Sequence, residues 1–359
     1  MSELLKDWYN RDTLTEFALI VKAIHPPFLA EEFVVDVLAE TWRELELKAR
    51  GRKIVTVLGQ FLPQDYPAAI EILKQIVTRY DGNVIFCLPD FVEVYGQDVA
   101  HWDVSVGAME LFTQYASAEF AVRPFIINHE DRMMAQMNEW SKNENEHLRR
   151  LSSEGCRPAL PWGVALKKYK LDPSPILPIL ERLKQDPSMY VRKSVANNLN
   201  DISKTHPDLV TKIAKEWHGK NELTDWIVKH GCRTLLKKAN REVLAIFGFG
   251  DADGVDVSGF SLGADAVRIG GEMSFNFTVA VKAETKVRLE YAIDFVKANG
   301  KRNRKIFQIS ESVFKGKKSY EKKHSFADLS TRKHYPGLHS LTLIVNGAER
   351  GTLDFTLNT

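Results

Sequence analysis

The hydrophobic positions follow two different periods along the chain. Up to about residue 246 they recur at helical spacing. Between Ala30 and Trp42 they are Phe33, Val37 and Leu38, with Leu45 beyond, and between Ala68 and Tyr80 they are Ile70, Leu73, Ile76 and Val77. Pro63, Pro67, Pro158, Pro161, Pro173, Pro187 and Pro207 fall between such runs, where short helices begin and end. Three later runs resemble one another: Leu148 to Cys156, Val191 to Leu199 and Ile227 to Leu235, at offsets of 43 and 36 residues. Each opens on an apolar residue with a basic one within two positions, and a second helical run follows each, over 175–184, 207–217 and 241–247. A two-helix unit of about 40 residues predicts an all-α HEAT-like repeat solenoid with a concave face.

After residue 254 the period becomes two. Glu272 to Val281, Val287 to Val296, Lys305 to Ile309, Leu338 to Val345 and Gly351 to Leu357 all alternate. About seven short strands in about 105 residues predict an all-β immunoglobulin-like sandwich. It lacks cysteine, so it has no inter-sheet disulfide. The Gly- and Asp-rich stretch from Phe247 to Gly254 reads as a linker. The expected domains are therefore 1–246 and 255–359.

Charge sharpens this picture. The net +2 conceals 12 basic against 22 acidic residues over 1–141, and 20 against 11 over 142–241. One basic segment in a balanced chain is the footprint of a polyanion partner. Arg149, Arg150, Arg192, Lys193 and Lys229 occupy corresponding places in successive units, so they should line one face as a stripe suited to a phosphate backbone. Residues 295–333 hold 12 basic and 3 acidic residues, with Lys301, Arg302 and Arg304 at their centre. These could meet phosphate, or could keep loops and edge strands polar.

Cys87, Cys156 and Cys232 are odd in number and widely spaced, which suits a reducing cytoplasm and no zinc site. No apolar run is long enough for a membrane helix, and Met1 to Asn10 does not read as a secretory signal. The Walker loop, His-Glu-x-x-His and Gly-x-Ser-x-Gly signatures are absent.

Two segments stand out: Arg149 to Trp162, and Tyr190 to Lys204. In the second, Val191, Val195 and Leu199 form a buried stripe, with Arg192, Lys193, Asn197 and Asn200 on the other side. Asp201 falls near the helix end, where the dipole disfavours a carboxylate. It needs either a cationic neighbour, such as Lys204 or an arginine of a neighbouring repeat, or a chemical task. On repeats and composition alone, a non-catalytic scaffold or DNA-damage-binding protein reads better than an enzyme.

The segments Arg-Arg-Leu-Ser-Ser-Glu-Gly-Cys-Arg-Pro-Ala-Leu-Pro-Trp162 and Val191-Arg-Lys-Ser-Val-Ala-Asn-Asn-Leu-Asn-Asp201 resemble those of the AlkC family of DNA alkylation repair glycosylases, itself related to AlkD-type enzymes. One branch of that family carries a C-terminal immunoglobulin-like domain. The resemblance implies a monofunctional enzyme that removes 3-methylcytosine and 3-methyladenine from double-stranded DNA, bending the duplex to reach the lesion. It implies no metal and no cofactor, a bacterial cytoplasmic protein associated with the nucleoid when bound to DNA, and a monomer. It assigns catalysis to Asp201 with Glu154 and Glu119, contact with the lesion or sugar to Trp162, and adds Arg157 to the DNA-binding residues. Read without it, Glu154 is an exposed helix residue, Trp162 a core side chain, and Glu119 a partner for Arg123 four residues on.

Overall fold

The computed structural model describes residues 4–328 and 333–359. Sixteen α-helices occupy the first two thirds of the described residues, and six β-strands follow from Val255. The chain divides into two compact units, one of residues 1–205 with 221–231, the other of 206–220 with 232–359.

In the first unit the helical pattern is realised with local signals that can be named. The Tyr66–Val77 helix starts at Asp65, whose carboxylate accepts from the Ala68 amide, with Pro67 in the first turn, and it buries Ile70, Leu73, Ile76 and Val77. The pattern around Ala30 is interrupted earlier than expected. The helix ends at Leu38 because Ala39 turns extended (φ −68°, ψ 159°), and a short 3₁₀ turn, Glu40–Glu44, follows. A nine-residue helix gains little from its own propagation, so packing decides where it stops.

The repeat pattern corresponds to real neighbours. The Met189–Ile202 helix packs between Glu146–Glu154 on one side and Glu222–Gly231 on the other. A Cβ on Gly231 would lie 3.0 Å from the Leu199 Cβ, so glycine there permits the close approach. The Leu177–Leu183 helix packs against both Glu146–Glu154 and Met189–Ile202. This sandwiched position explains a difference from the sequence reading. Arg192 and Asn200 are buried rather than on an outer polar face, together with Asn198 and Ser194. Buried polar groups need partners, and several are supplied across the helix pair: Asn198 Nδ2 donates to the Ser153 carbonyl at 2.9 Å, and Ser153 Oγ to Ser194 Oγ at 2.7 Å.

In the second unit, the Pro207–Trp217 and Arg241–Ile246 helices pack together. The strands are β1 (Val255–Leu262), β2 (Ala266–Arg268), β3 (Glu272–Val296), β4 (Arg302–Ser325), β5 (Gly337–Val345) and β6 (Ala348–Asn358). The expectation of about seven short strands is replaced by six, two of them long. Glu272–Val281 and Val287–Val296 are one strand, because the junction is a register shift between Val281 and Thr285 and not a turn. β3 pairs with β4 along its length and, on its other edge, with β1 near its start and β5 near its end. Alternate residues of β3, from Met273 to Val281 and from Val287 to Phe295, enter the core with Leu341, Leu343, Phe355 and Leu357. β4 pairs with β3 alone, so its lysines lie on a sheet edge.

Candidate DNA-repair site

Three carboxylates of the first unit are linked by two arginines. Glu119 lies in the turn before the Val122–Asn128 helix and accepts from Arg150 Nη1 and, at 2.8 Å, from Ser117 Oγ. Arg150 Nη2 is 3.4 Å from Glu154 Oε1, one helical turn along. The same Glu154 oxygen accepts from Arg157 Nη1 at 2.6 Å, and Arg157 Nε donates to Asp201 Oδ2 at 2.9 Å. Lys204 Nζ completes the series, 2.8 Å from Asp201 Oδ1. Charges of opposite sign therefore alternate across three separate segments of the chain.

Local structure explains each placement. Asn145 caps the Glu146–Glu154 helix, and burial of Leu148 and Leu151 turns Arg150 and Glu154 toward Glu119 and Arg157. Asp201 sits in the last turn of Met189–Ile202, where a carboxylate costs about 0.3–1 kcal/mol against the helix dipole. Both expected kinds of cationic neighbour are present, the nearby Lys204 and an arginine of the preceding repeat. Burial opposes the charge of Arg157, but Glu154 and Asp201 outweigh it and hold the guanidinium pKa above its usual value. Each Asp201 oxygen accepts one hydrogen bond, which leaves lone pairs free to face a developing cation or a water. The Asp201 side chain is 2% exposed and Lys204 is 47% exposed, so the lysine is the outer member of the pair.

The structure corrects three assignments made without the family resemblance. Glu154 is buried. Arg123 does not pair with Glu119; it is buried, and donates instead to the Gly155, Arg157 and Val164 carbonyls. Trp162 is not a core residue, being 71% exposed. Its φ of 63° is left-handed, which costs a bulky L-residue about 1 kcal/mol or more. Beyond it, Val164 to Tyr169 line a mostly apolar cavity of about 360 Å³ with Ile126, Ile127 and Glu130. Glu119, Glu154 and Asp201 do not line that cavity.

The basic stripe is not a row of free cations. Arg149 forms a bidentate pair with Asp186 (2.6 and 3.1 Å) and donates its remaining nitrogen to the Asn143 and Glu144 carbonyls. Arg192 is buried and donates to the Asp186 and Pro187 carbonyls, both at 2.7 Å. Both bind the turn before Met189–Ile202, whose carbonyls lack helical donors. Lys193 is exposed and Lys229 half-buried. In the second unit Lys301 lies in the β3–β4 turn, Arg302 donates to Ser340 Oγ at 3.0 Å, and Arg304 pairs with Glu349 at 2.8 Å.

Three residues of this region escaped the sequence reading of the site. They are Arg123, Lys48, which donates to the Trp162 carbonyl at 3.0 Å, and Tyr190, which carries the Arg150 guanidinium over its ring at 4.9 Å. Tyr190 at least opens a signature segment. Lys48 lies 114 residues from its partner, and no local pattern reveals it.

Comparison with known proteins identifies the family. A family model described as a DNA alkylation repair enzyme matches residues 109–235. The chain is 47% identical over 353 residues to the Bacillus subtilis (strain 168) protein YhaZ, covering 98% of each. Its fold matches a solved structure of the Pseudomonas fluorescens alkylpurine DNA glycosylase AlkC, bound to DNA containing an abasic site analog, with a TM-score of 0.94 and 35% identity over 99% of this chain and all of that one. The chain belongs to the AlkC family of DNA alkylation repair glycosylases. The repair-enzyme match contains the whole series from Glu119 to Lys204, together with Trp162. A second family model, the C-terminal Ig-like domain of YhaZ, matches residues 256–359, which span β1 to β6. Lys48 lies outside both matches.

Proposed function

We propose that this protein is a monofunctional glycosylase that excises 3-methylcytosine and 3-methyladenine from double-stranded DNA. The observation that carries the reading is the series of three carboxylates, Glu119, Glu154 and Asp201, chained through Arg150 and Arg157 in a chain of the AlkC family.

Methylation at N3 makes the base cationic. As the C1′–N bond breaks, its electron pair passes to the base, which leaves neutral. Positive charge then develops on the deoxyribose, and the Asp201 carboxylate offsets it. A water adds its oxygen to C1′ and releases its proton to a carboxylate and then to solvent. Glu154 and Glu119 complete the acidic surroundings, and Arg157 keeps Asp201 oriented. Since Asp201 is covered in the free protein, DNA engagement must move Lys204, the exposed side of its ion pair. Trp162 supplies an exposed ring for the lesion or its sugar. Lys193, Lys229 and, on the Ig-like domain, Lys301, Arg302 and Arg304 meet phosphates. The protein acts as a monomer in the bacterial cytoplasm, on the nucleoid when bound to DNA. Among the described residues no helix is long and apolar enough to cross a membrane.

The test is release of methylated bases from alkylated duplex DNA. We expect the wild type to release both, and Asp201→Asn to lose about 10²–10³-fold in rate while still binding DNA. Binding without release by the folded wild type would leave a DNA-damage-binding scaffold.

A further inference from the structure

Trp162 breaks a local rule. The Gly163 amide donates to the Leu160 carbonyl at 3.1 Å, which closes a four-residue turn over Leu160, Pro161, Trp162 and Gly163. Proline at the second position and positive φ at the third are the marks of a type II turn, whose third position calls for glycine or asparagine. Here that position holds the tryptophan, at φ 63°, and the glycine comes one residue late. The residue held in this strained conformation is also 71% exposed, so burial of its ring does not compensate. Strain of this kind persists only where surroundings over-determine it.

The surroundings do so from two distant helices. Arg123 Nε donates to the Val164 carbonyl at 2.5 Å, while its Nη1 donates to the Gly155 and Arg157 carbonyls at 2.8 and 3.1 Å. One guanidinium thus gathers both ends of the loop that carries Arg157 and Trp162. Arg123 is 1% exposed, has no carboxylate within ion-pair distance among the described residues, and leaves Nη2 without a hydrogen-bond partner. Burial is the first cause that pushes its pKa down, to about 10. All three hydrogen bonds of this costly buried cation go to one loop. Lys48, from the Leu47–Phe61 helix, donates to the Trp162 carbonyl at 3.0 Å with its ammonium 3.8 Å from the centre of the Phe120 ring. The loop is pressed close: a Cβ on Gly163 would stand 3.3 Å from both Arg123 Nε and Phe120 Cδ1.

We propose that Arg123 and Lys48 are positioning residues that hold Trp162 in its left-handed turn and so preorganise the ring for damaged DNA. The catalytic part of this proposal rests on the reading that Trp162 contacts the lesion or its sugar. Neither residue reaches the reacting atoms; each acts through the loop.

The test uses the full chain and two readouts. The first is the rate of chymotrypsin cleavage after Trp162 in the free protein, which reports the loop alone. The second is single-turnover release of 3-methyladenine from methylated duplex DNA. Lys48→Met should speed cleavage several-fold and lower release about tenfold with circular dichroism unchanged, as expected for a contact group that loses its orientation. Lys48→Arg, which can still donate to the carbonyl, should restore both. Arg123→Lys keeps the charge but loses the planar fork, and should loosen the loop further. In a Trp162→Ala background, Lys48→Met should cost nothing more in release, because both changes act through one ring. Wild-type cleavage rates in folded Lys48→Met and Arg123→Lys would overturn the clamp, whatever Trp162 does. Full release by Trp162→Ala would instead overturn the reading of Trp162, and a loosened loop in Lys48→Met beside it would tell that failure apart. A loosened loop with undiminished release, when Trp162→Ala itself is slow, would overturn the positioning role.

Discussion

Arg157 Nε lies 2.9 Å from Asp201 Oδ2, so the loop after one repeat helix is tied to the last turn of the next. The side chains are 8% and 2% exposed, which makes this a buried pair, with Glu154 on the second face of the same arginine. Removing Arg157 leaves buried Glu154 with only the 3.4 Å contact to Arg150 and buried Asp201 with only the half-exposed Lys204. We expect Arg157→Met to cost about 3 kcal/mol or more of stability, whereas Lys204→Met, which removes a largely exposed partner, should cost at most about 1 kcal/mol. Urea denaturation of the two variants checks this. Equal and small losses would mean that Arg157 does not anchor Asp201.

The inward turn of Arg192 separates it from its neighbour Lys193. Arg192→Ala should lower the urea midpoint, because the Asp186 and Pro187 carbonyls lose their donor. Lys193→Ala should leave the midpoint unchanged and reduce the slope of log affinity for duplex DNA against log salt by about 0.9. The reverse pattern would return Arg192 to the phosphate-binding set.

The Ig-like domain supplies a separate test of the same kind. A triple Lys301→Ala, Arg302→Ala, Arg304→Ala variant should bind duplex DNA more weakly and with a shallower salt dependence. If affinity and slope stay unchanged, these residues serve the sheet edge alone.

His339 is fully buried among Phe295, Phe326 and Phe355, with Nε2 3.1 Å from the Tyr335 carbonyl. Burial lowers its pKa below the ordinary 6.5. The unfolded chain therefore takes up a proton near 6.5 that the folded domain resists. The stability held above that pH is lost as pH falls below it, by at most about 1.4 kcal/mol per unit. As pH falls from 8 to 5, the urea midpoint of His339→Phe should rise relative to that of the wild type. A difference that does not change with pH would place the cause elsewhere.

Asp90 has the opposite sign. Burial, reinforced by Glu93, raises its carboxyl from 3.8 to about 6 against the pull of Arg52 and Lys48. Its contribution is fully present below the ordinary carboxylate range and is lost as pH rises through about 6. Asp90→Asn should therefore stabilise the protein at pH 8 and do little at pH 4, since Arg52 keeps Glu93 at 2.6 Å. A destabilised variant at pH 8 would mean that the Arg52 contact outweighs the burial.

The sequence by itself determined the two periodicities, and hence the helical repeats followed by strands. It also marked Asp201 as a carboxylate at a helix end in need of a cation, since the dipole penalty depends only on local position. The signature segments identified the family. Tertiary structure alone decided that Glu154 is buried, that Arg149 and Arg192 turn inward, and that Lys48 and Arg123 meet the Trp162 loop. The reason is physical. A hydrophobic pattern fixes which face of a helix is covered, but not which distant carbonyls are left without donors. Those carbonyls choose among long, flexible arginines and lysines only once the helices have packed, and at Trp162 their choice overrides what the turn sequence prefers.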